Sequence, residues 1–205
     1  PPALQQAMTP LPGPDLTIAL GWRKQPCRLW TLEHDGVIFY FVDNDGYFNR
    51  QGFYGWPDDA ERFAYFCRAV LAALPQLDFT PHILHCHDWH TALLPLLLKA
   101  GYDGLDGYSH LKTVLTIHNI EYQGRFAPSV LADILELDPG YYFTSDRLEL
   151  YGAVSYLKAG LVFADALTTV SPTYAWEITT PEGGRGLDGV LRMRQADLTG
   201  IVNGI

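Results

Sequence analysis

Residues 82–101, HILHCHDWHTALLPLLLKAG, decide the fold. His82–His87 reads as a short strand, whereas Thr91–Ala100 is apolar at nearly every position and closes on Gly101, as a helix does. A strand running into a helix is half of a β–α unit, and the alternation continues downstream. Lys112–Ile117 reads as a strand, Leu148–Ala164 as a long helix, Ala166–Val170 as a strand, Pro172–Ile178 as a short helix and Leu198–Val202 as a last strand. Such alternation predicts a parallel sheet wound with right-handed crossovers, so the chain from residue 78 onward is expected to be Rossmann-like α/β.

Upstream the period changes. Leu16–Trp22, Cys27–Glu33 and Val37–Val42 are β-rich, and His34-Asp35-Gly36 between the last two carries the Asp-Gly signal of a tight hairpin. A small antiparallel element is expected there. From Asp58 to Leu74 the apolar residues Phe63, Phe66, Cys67, Val70, Leu71 and Leu74 line one helical face, and Pro57 with Asp58-Asp59 suits a helix start. Residues 1–15 are Pro-rich and read as a loop or disordered arm, leaving 16–205 as one partial domain. Because the sequence stops at Ile205, directly after a strand, a fragment is expected.

Composition narrows the function. The 205 residues are 48% apolar and 18% charged, which is globular, and the formal net charge is −9 with Lys and Arg scattered singly. No basic stripe is present to neutralise a phosphate backbone or an anionic bilayer, so neither nucleic acid nor membrane is an expected partner. The apolar run Thr91–Ala100 is far too short to span a bilayer. Cys27, Cys67 and Cys86 are an odd number at irregular intervals inside apolar runs, which suits reduced thiols and a cytoplasmic setting.

In a wound parallel sheet, ligands sit at the carboxyl ends of the strands, and that rule selects four places. The densest is His85-Cys86-His87-Asp88-Trp89-His90. Imidazoles and a carboxylate suggest a metal first, but the acid stands one place early for a His-x-His-x-Asp-His hydrolase motif, and no second ligand group follows. We read His85 as a hydrogen-bonded core histidine. Asp88, Trp89 and His90 supply an acceptor for paired hydroxyls, an aromatic face and a donor, which is what pyranose recognition requires. The second is Thr116–Gly124, where His118, Asn119 and Glu121 follow a strand; an Asn-led turn with an incidental histidine stays open. The third is Asn203-Gly204, foremost a turn signal, and the fourth Ser171–Tyr174. Lys158 on the apolar stripe of the long helix is ambiguous: such a lysine usually snorkels, here toward Glu149 or Asp165, and it is assigned no role. Gly-x-Gly-x-x-Gly, phosphate-loop and Gly-x-Ser-x-Gly signatures are absent, which argues against dehydrogenase, ATPase and esterase.

Together these motifs resemble the glycogen/starch synthases. YFVDNDGYFNR from Tyr40, HCHDWHTALLPLLLK from His85, TIHNIEYQGRF from Thr116, LKAGLVFADALTTVSPTYAWEI from Leu157 and GLDGVLRMR from Gly186 through LTGIVNGI occur in family order. The resemblance implies the Rossmann-like N-terminal half of a GT-B glycosyltransferase, with a small antiparallel element near its start. It implies retaining extension of an α-1,4-glucan acceptor from ADP-glucose, without metal or other cofactor. His118 and Asn203 then resemble the residues beside the transferred glucose. Tyr54, Asp88, Trp89 and His90, with Asn119 nearby, resemble the acceptor-glucan face. A transferase of the sucrose-synthase kind and a non-catalytic glucan-binding module are the alternatives. The family's Lys-x-Gly-Gly-Leu loop and its C-terminal nucleotide-binding domain are missing from this sequence, so inactivity of the chain alone is expected. Glu121, Trp176 and Arg185 stand where a small residue, an arginine and an aromatic are usual in the family.

Overall fold

A computed structural model describes residues 6–204. The chain divides into two compact units, one ending at Phe79 and the other beginning at Thr80.

The first unit is an antiparallel sheet with one long helix. Its strands are β1 (Thr9–Pro10), β2 (Leu16–Leu20), β3 (Arg23–His34) and β4 (Val37–Asp43). The long β3 pairs β2 along its first half, and β4 and β1 along its second. Asp35 and Gly36 both have positive φ, 51° and 77°, the twist that a two-residue hairpin needs, as expected. The arm is less irregular than expected: Thr9 and Pro10 pair with Thr31 and Trp30, and a proline, lacking an N–H, is tolerated on such an edge. The expectation for residues 1–5 lies outside the described residues.

A single turn, α1 (Asp45–Phe48), is capped by Asn44, whose side chain accepts from Tyr47 N–H and donates to the Pro26 carbonyl at 2.8 Å. Helix α2 (Asp59–Ala73) begins on the expected acidic turn. Its buried pair Asp59–Arg62 is stable only because its remaining groups are used. Arg62 Nε donates to the Tyr47 carbonyl at 2.8 Å, and Asp59 Oδ2 accepts from Gly55 and Trp56 N–H at 2.6 and 3.0 Å. The loop that carries Tyr54 is thereby tied to α2.

The second unit is the wound sheet. Strand β5 (Ile83–His87) leads into α3 (Asp88–Thr91) and α4 (Leu93–Leu97), followed by β6 (Lys112–Ile117) and β7 (Arg125–Phe126). Single turns at Val130–Asp133 and Pro139–Tyr142 precede β8 (Glu149–Leu150), β9 (Ala153–Ser155) and α5 (Tyr156–Phe163). The rest is β10 (Ala166–Thr169), α6 (Pro172–Glu177), α7 (Asp188–Met193) and β11 (Leu198–Gly200). The main sheet runs β11-β10-β6-β5 with every pair parallel, so the expected Rossmann-like α/β class is what the second unit has.

Two elements differ from the sequence expectation. The helix expected over 148–164 is a hairpin followed by a shorter helix. Tyr151 and Gly152 turn with φ of 51° and 77°, β8 pairs β9, and Ser155 then caps α5 by accepting from Lys158 N–H. Lys158 does not snorkel: its buried ammonium donates to the carbonyls of Ser145 and Glu149, both at 2.6 Å. Loss of solvent lowers its pKa, opposed by Glu149 and Asp146. The helix expected over 91–100 is broken into α3, α4 and a wide turn over Leu98–Tyr102. Pro95 is accommodated because it falls in the first turn of α4, where an N–H has no helical partner.

Gly160 fixes how closely α5 lies on the sheet. A Cβ there would stand 2.7 Å from Leu115 Cδ2 and 2.8 Å from the Ala92 Cβ. Gly160→Ala gains about 1 kcal/mol of helix propensity but overpacks a site with no slack, a cost of about 1–3 kcal/mol. The expected outcome is a lower urea midpoint; a raised midpoint would show that the α5 contact is looser than described.

Candidate active site

The site is built where β5 and β6 end side by side, with His87 in register with Thr116. Period-two alternation puts His85 and His87 on one face of β5, and their ring centroids are 4.2 Å apart. His85 Nε2 lies 2.7 Å from Thr116 Oγ1, which lies 2.6 Å from Thr168 Oγ1 on β10, so polar groups link three strands. His85 is hydrogen-bonded as expected, yet it is exposed rather than part of the core, because β5 is the outermost strand of the described sheet.

At the end of β5 the chain turns through Asp88, whose φ is +54°. Few side chains accept that region, and aspartate is among those that do. His87 N–H donates to Thr91 Oγ1 at 2.6 Å. The Asp88 carboxylate crosses to the neighbouring strand end, where Oδ1 accepts from His118 N–H at 2.8 Å and from Asn119 N–H at 3.3 Å. His118 is also held through its ring, with Nε2 2.9 Å from His87 Nδ1. Loss of solvent, with smaller contributions from His85 and His118, holds the His87 pKa below the ordinary imidazole range, and Asp88 opposes.

The turn after His118 is fixed residue by residue. Asn119 Oδ1 accepts from Glu121 N–H at 3.0 Å, and Ile120 N–H donates to the Tyr174 hydroxyl on α6 at 3.0 Å. Gln123 Nε2 donates to the Arg185 carbonyl at 3.1 Å. Glu121 and Arg185, two residues unusual for the resembled family, form an ion pair at 2.8 Å. Both are more than half exposed, so the pair contributes at most about 1 kcal/mol.

Of the residues expected in a sugar site, the structure brings Asp88, His118 and Asn119 into one hydrogen-bonded group. Trp89 and His90 follow on α3 with ring centroids 4.1 Å apart. The open indole face expected of Trp89 is absent: the residue is 4% exposed, packed beside Phe126 and under Gly124. A Cβ on Gly124 would stand 2.4 Å from Trp89 Cε3, and the glycine φ is +57°, so this position needs glycine twice over. Asn203 is exposed beyond the end of β11. The strand it follows, β11, is two strands from β6 in the sheet. Tyr54 belongs to the first unit and is 45% exposed. Among the described residues no group of three or more His, Cys, Asp or Glu is placed to hold a metal ion. Sequence reasoning missed His87 as the partner of His118, although the shared face of His85 and His87 was a usable signal; Tyr174 falls in the Ser171–Tyr174 stretch selected at a strand end.

Asp88→Ala removes two charge-assisted bonds and leaves an alanine at positive φ, so unfolding free energy should fall by about 2 kcal/mol or more. Asp88→Asn keeps an acceptor and tolerates the backbone, and urea titration should show the smaller loss. Equal losses would contradict the carboxylate's role in tying β5 to β6.

Comparison with known proteins gives the family. Residues 4–193 match the family model described as the starch synthase catalytic domain. The glycogen synthase of Geobacillus thermodenitrificans is 54% identical over 191 residues, which are 93% of this chain and 39% of that protein. That of Clostridioides difficile is 50% identical over 193 residues, 92% of this chain and 40% of that protein. Among solved structures, the catalytic domain of Starch Synthase IV from Arabidopsis thaliana bound to ADP and acarbose superposes with a TM-score of 0.87 at 34% identity. It is matched over 97% of this chain and 41% of its own. The chain thus spans about two fifths of the length of these relatives.

Proposed function

The chain belongs to the starch synthase catalytic domain family, and from that premise we propose that its protein is a retaining glucosyltransferase extending an α-1,4-glucan from ADP-glucose. The observation that carries this reading is the placement of His118. It stands at the carboxyl edge of a parallel sheet, where wound α/β folds bind ligands, and it is immobilised at both its amide and its ring. A preorganised polar group of this kind stabilises charge that develops only in the transition state. The His118 carbonyl or imidazole faces the oxocarbenium-like glucosyl group, and Asn203 contacts the same sugar. The ADP and acarbose of the Arabidopsis neighbour support a nucleotide-linked donor and an oligosaccharide acceptor.

On the acceptor side we place Asp88, His90 and Asn119. Asp88 reaches the acceptor through the carboxylate oxygen that does not hold the turn. Trp89 acts from beneath, as the support on which His90 lies. No metal or other cofactor enters this reading. A cytoplasmic setting fits three buried free thiols, and no helix among the described residues is long and apolar enough to cross a membrane. The isolated chain should not turn over, because stabilisation of the transition state draws on both sides of the family's cleft.

In the full-length protein, His118→Ala should lower kcat by about 100-fold or more, measured as glucose incorporation into glucan; near-normal turnover would contradict the assignment. Offered ADP-, UDP- and GDP-glucose, the enzyme should use ADP-glucose best, and preference for another donor would point to a sucrose-synthase-like relative.

A further inference from the structure

We propose that His87 is a positioning residue for His118, fixing the orientation and tautomer of that imidazole in the glucosyl site; the inference rests on the glucosyltransferase reading. The geometry is direct. His87 Nδ1 lies 2.9 Å from His118 Nε2, and the two rings are tilted by 34° at 5.2 Å between centroids. A hydrogen bond between two imidazoles uses one N–H and one lone pair, so the donor in one ring dictates an acceptor in the other. With Nε2 of His118 committed to His87, only Nδ1 and the backbone carbonyl are left for substrate. The bond also forbids a state in which both rings are cationic, since neither would then have a lone pair to offer.

Packing gives no reason for an imidazole at this place. His87 is exposed at the end of the outermost strand of the described sheet, where almost any side chain is compatible with folding. Its neighbours form a set with one consequence. Asp88, the next residue, holds the His118 amide; His87 holds the His118 ring; His85 lies against the His87 ring at 4.2 Å. Two consecutive residues of the β5–α3 junction therefore fix one residue of the β6 turn at its backbone and its side chain. The titratable groups facing His87 are His85 from its own strand, Asp88 beside it and His118 from β6. Loss of solvent and the two like charges favour neutral His87 near pH 7. Protonation of His87 makes its Nδ1 a donor, so the bond then requires the lone pair of a neutral His118 ring and fixes which tautomer that ring holds.

The test compares His87→Ala and His87→Asn in the full-length enzyme. Asparagine places an amide near the position of Nδ1 and does not titrate. We expect His87→Ala to keep the circular dichroism of the wild type and to lower kcat by about 10- to 100-fold with little change in KM. His87→Asn should recover most of that loss and alter the acid limb of the kcat–pH profile. An alanine variant with wild-type kcat overturns the proposal. So do alanine and asparagine variants that are equally impaired with a wild-type acid limb, since that pattern marks a merely structural role. Should the wild type make no glucan, the function reading fails by itself, and ring nitrogen resonances of ¹⁵N-histidine-labelled protein still decide this point. The His118 ring signals should change in His87→Asn; unchanged signals overturn the proposal.

Discussion

The site depends on one constraint: two strand ends that share no local sequence are tied together by a carboxylate spanning the gap between them. Asp88 leaves β5 at positive φ and accepts two consecutive backbone N–H groups just past β6. A backbone amide at a strand end would otherwise be satisfied by water, and the turn carrying it would be free to move. Binding both amides to an anion replaces that water with a fixed, charge-assisted partner. The unusual dihedral angle of Asp88 is thus accounted for by what its side chain reaches.

The rest of the second unit keeps that junction in place. Gly160 lets α5 lie close on β6, and Gly124 lets the turn after His118 close over Trp89. Tyr174 and Gln123 pin the same turn from α6 and toward the loop at Arg185. Each is a contact between segments distant in sequence, so the order of the site is a property of the packed sheet and not of the motif alone.

Much of this was legible in sequence. The change of period at residue 82, the Asp-Gly hairpin and the acidic start of α2 each follow from local rules, and each is present. What failed was local evidence overridden by distant partners. Glu149 to Ser155 has a helix-compatible apolar spacing, but Tyr151 sits at positive φ, which a tyrosine, unlike glycine, asparagine or aspartate, does not advertise. Lys158 was ambiguous in sequence, with Glu149 as one of two directions; it meets the Glu149 carbonyl, and the Ser145 carbonyl, which no sequence pattern exposes, satisfies it beside that. Trp89 looked like a sugar platform because residue type says nothing about which face is covered. His87 was passed over because its partner lies 31 residues away, across a strand pairing that must be known before the bond can be seen.

The most direct measurement is a crystal structure of the full-length protein with ADP and a maltooligosaccharide. The account predicts a glucose unit against the carbonyl and free ring nitrogen of His118, with the bonds from His87 and Asp88 intact. A sugar bound away from the β5 and β6 ends, or a His118 ring turned off His87 to meet it, would contradict the account.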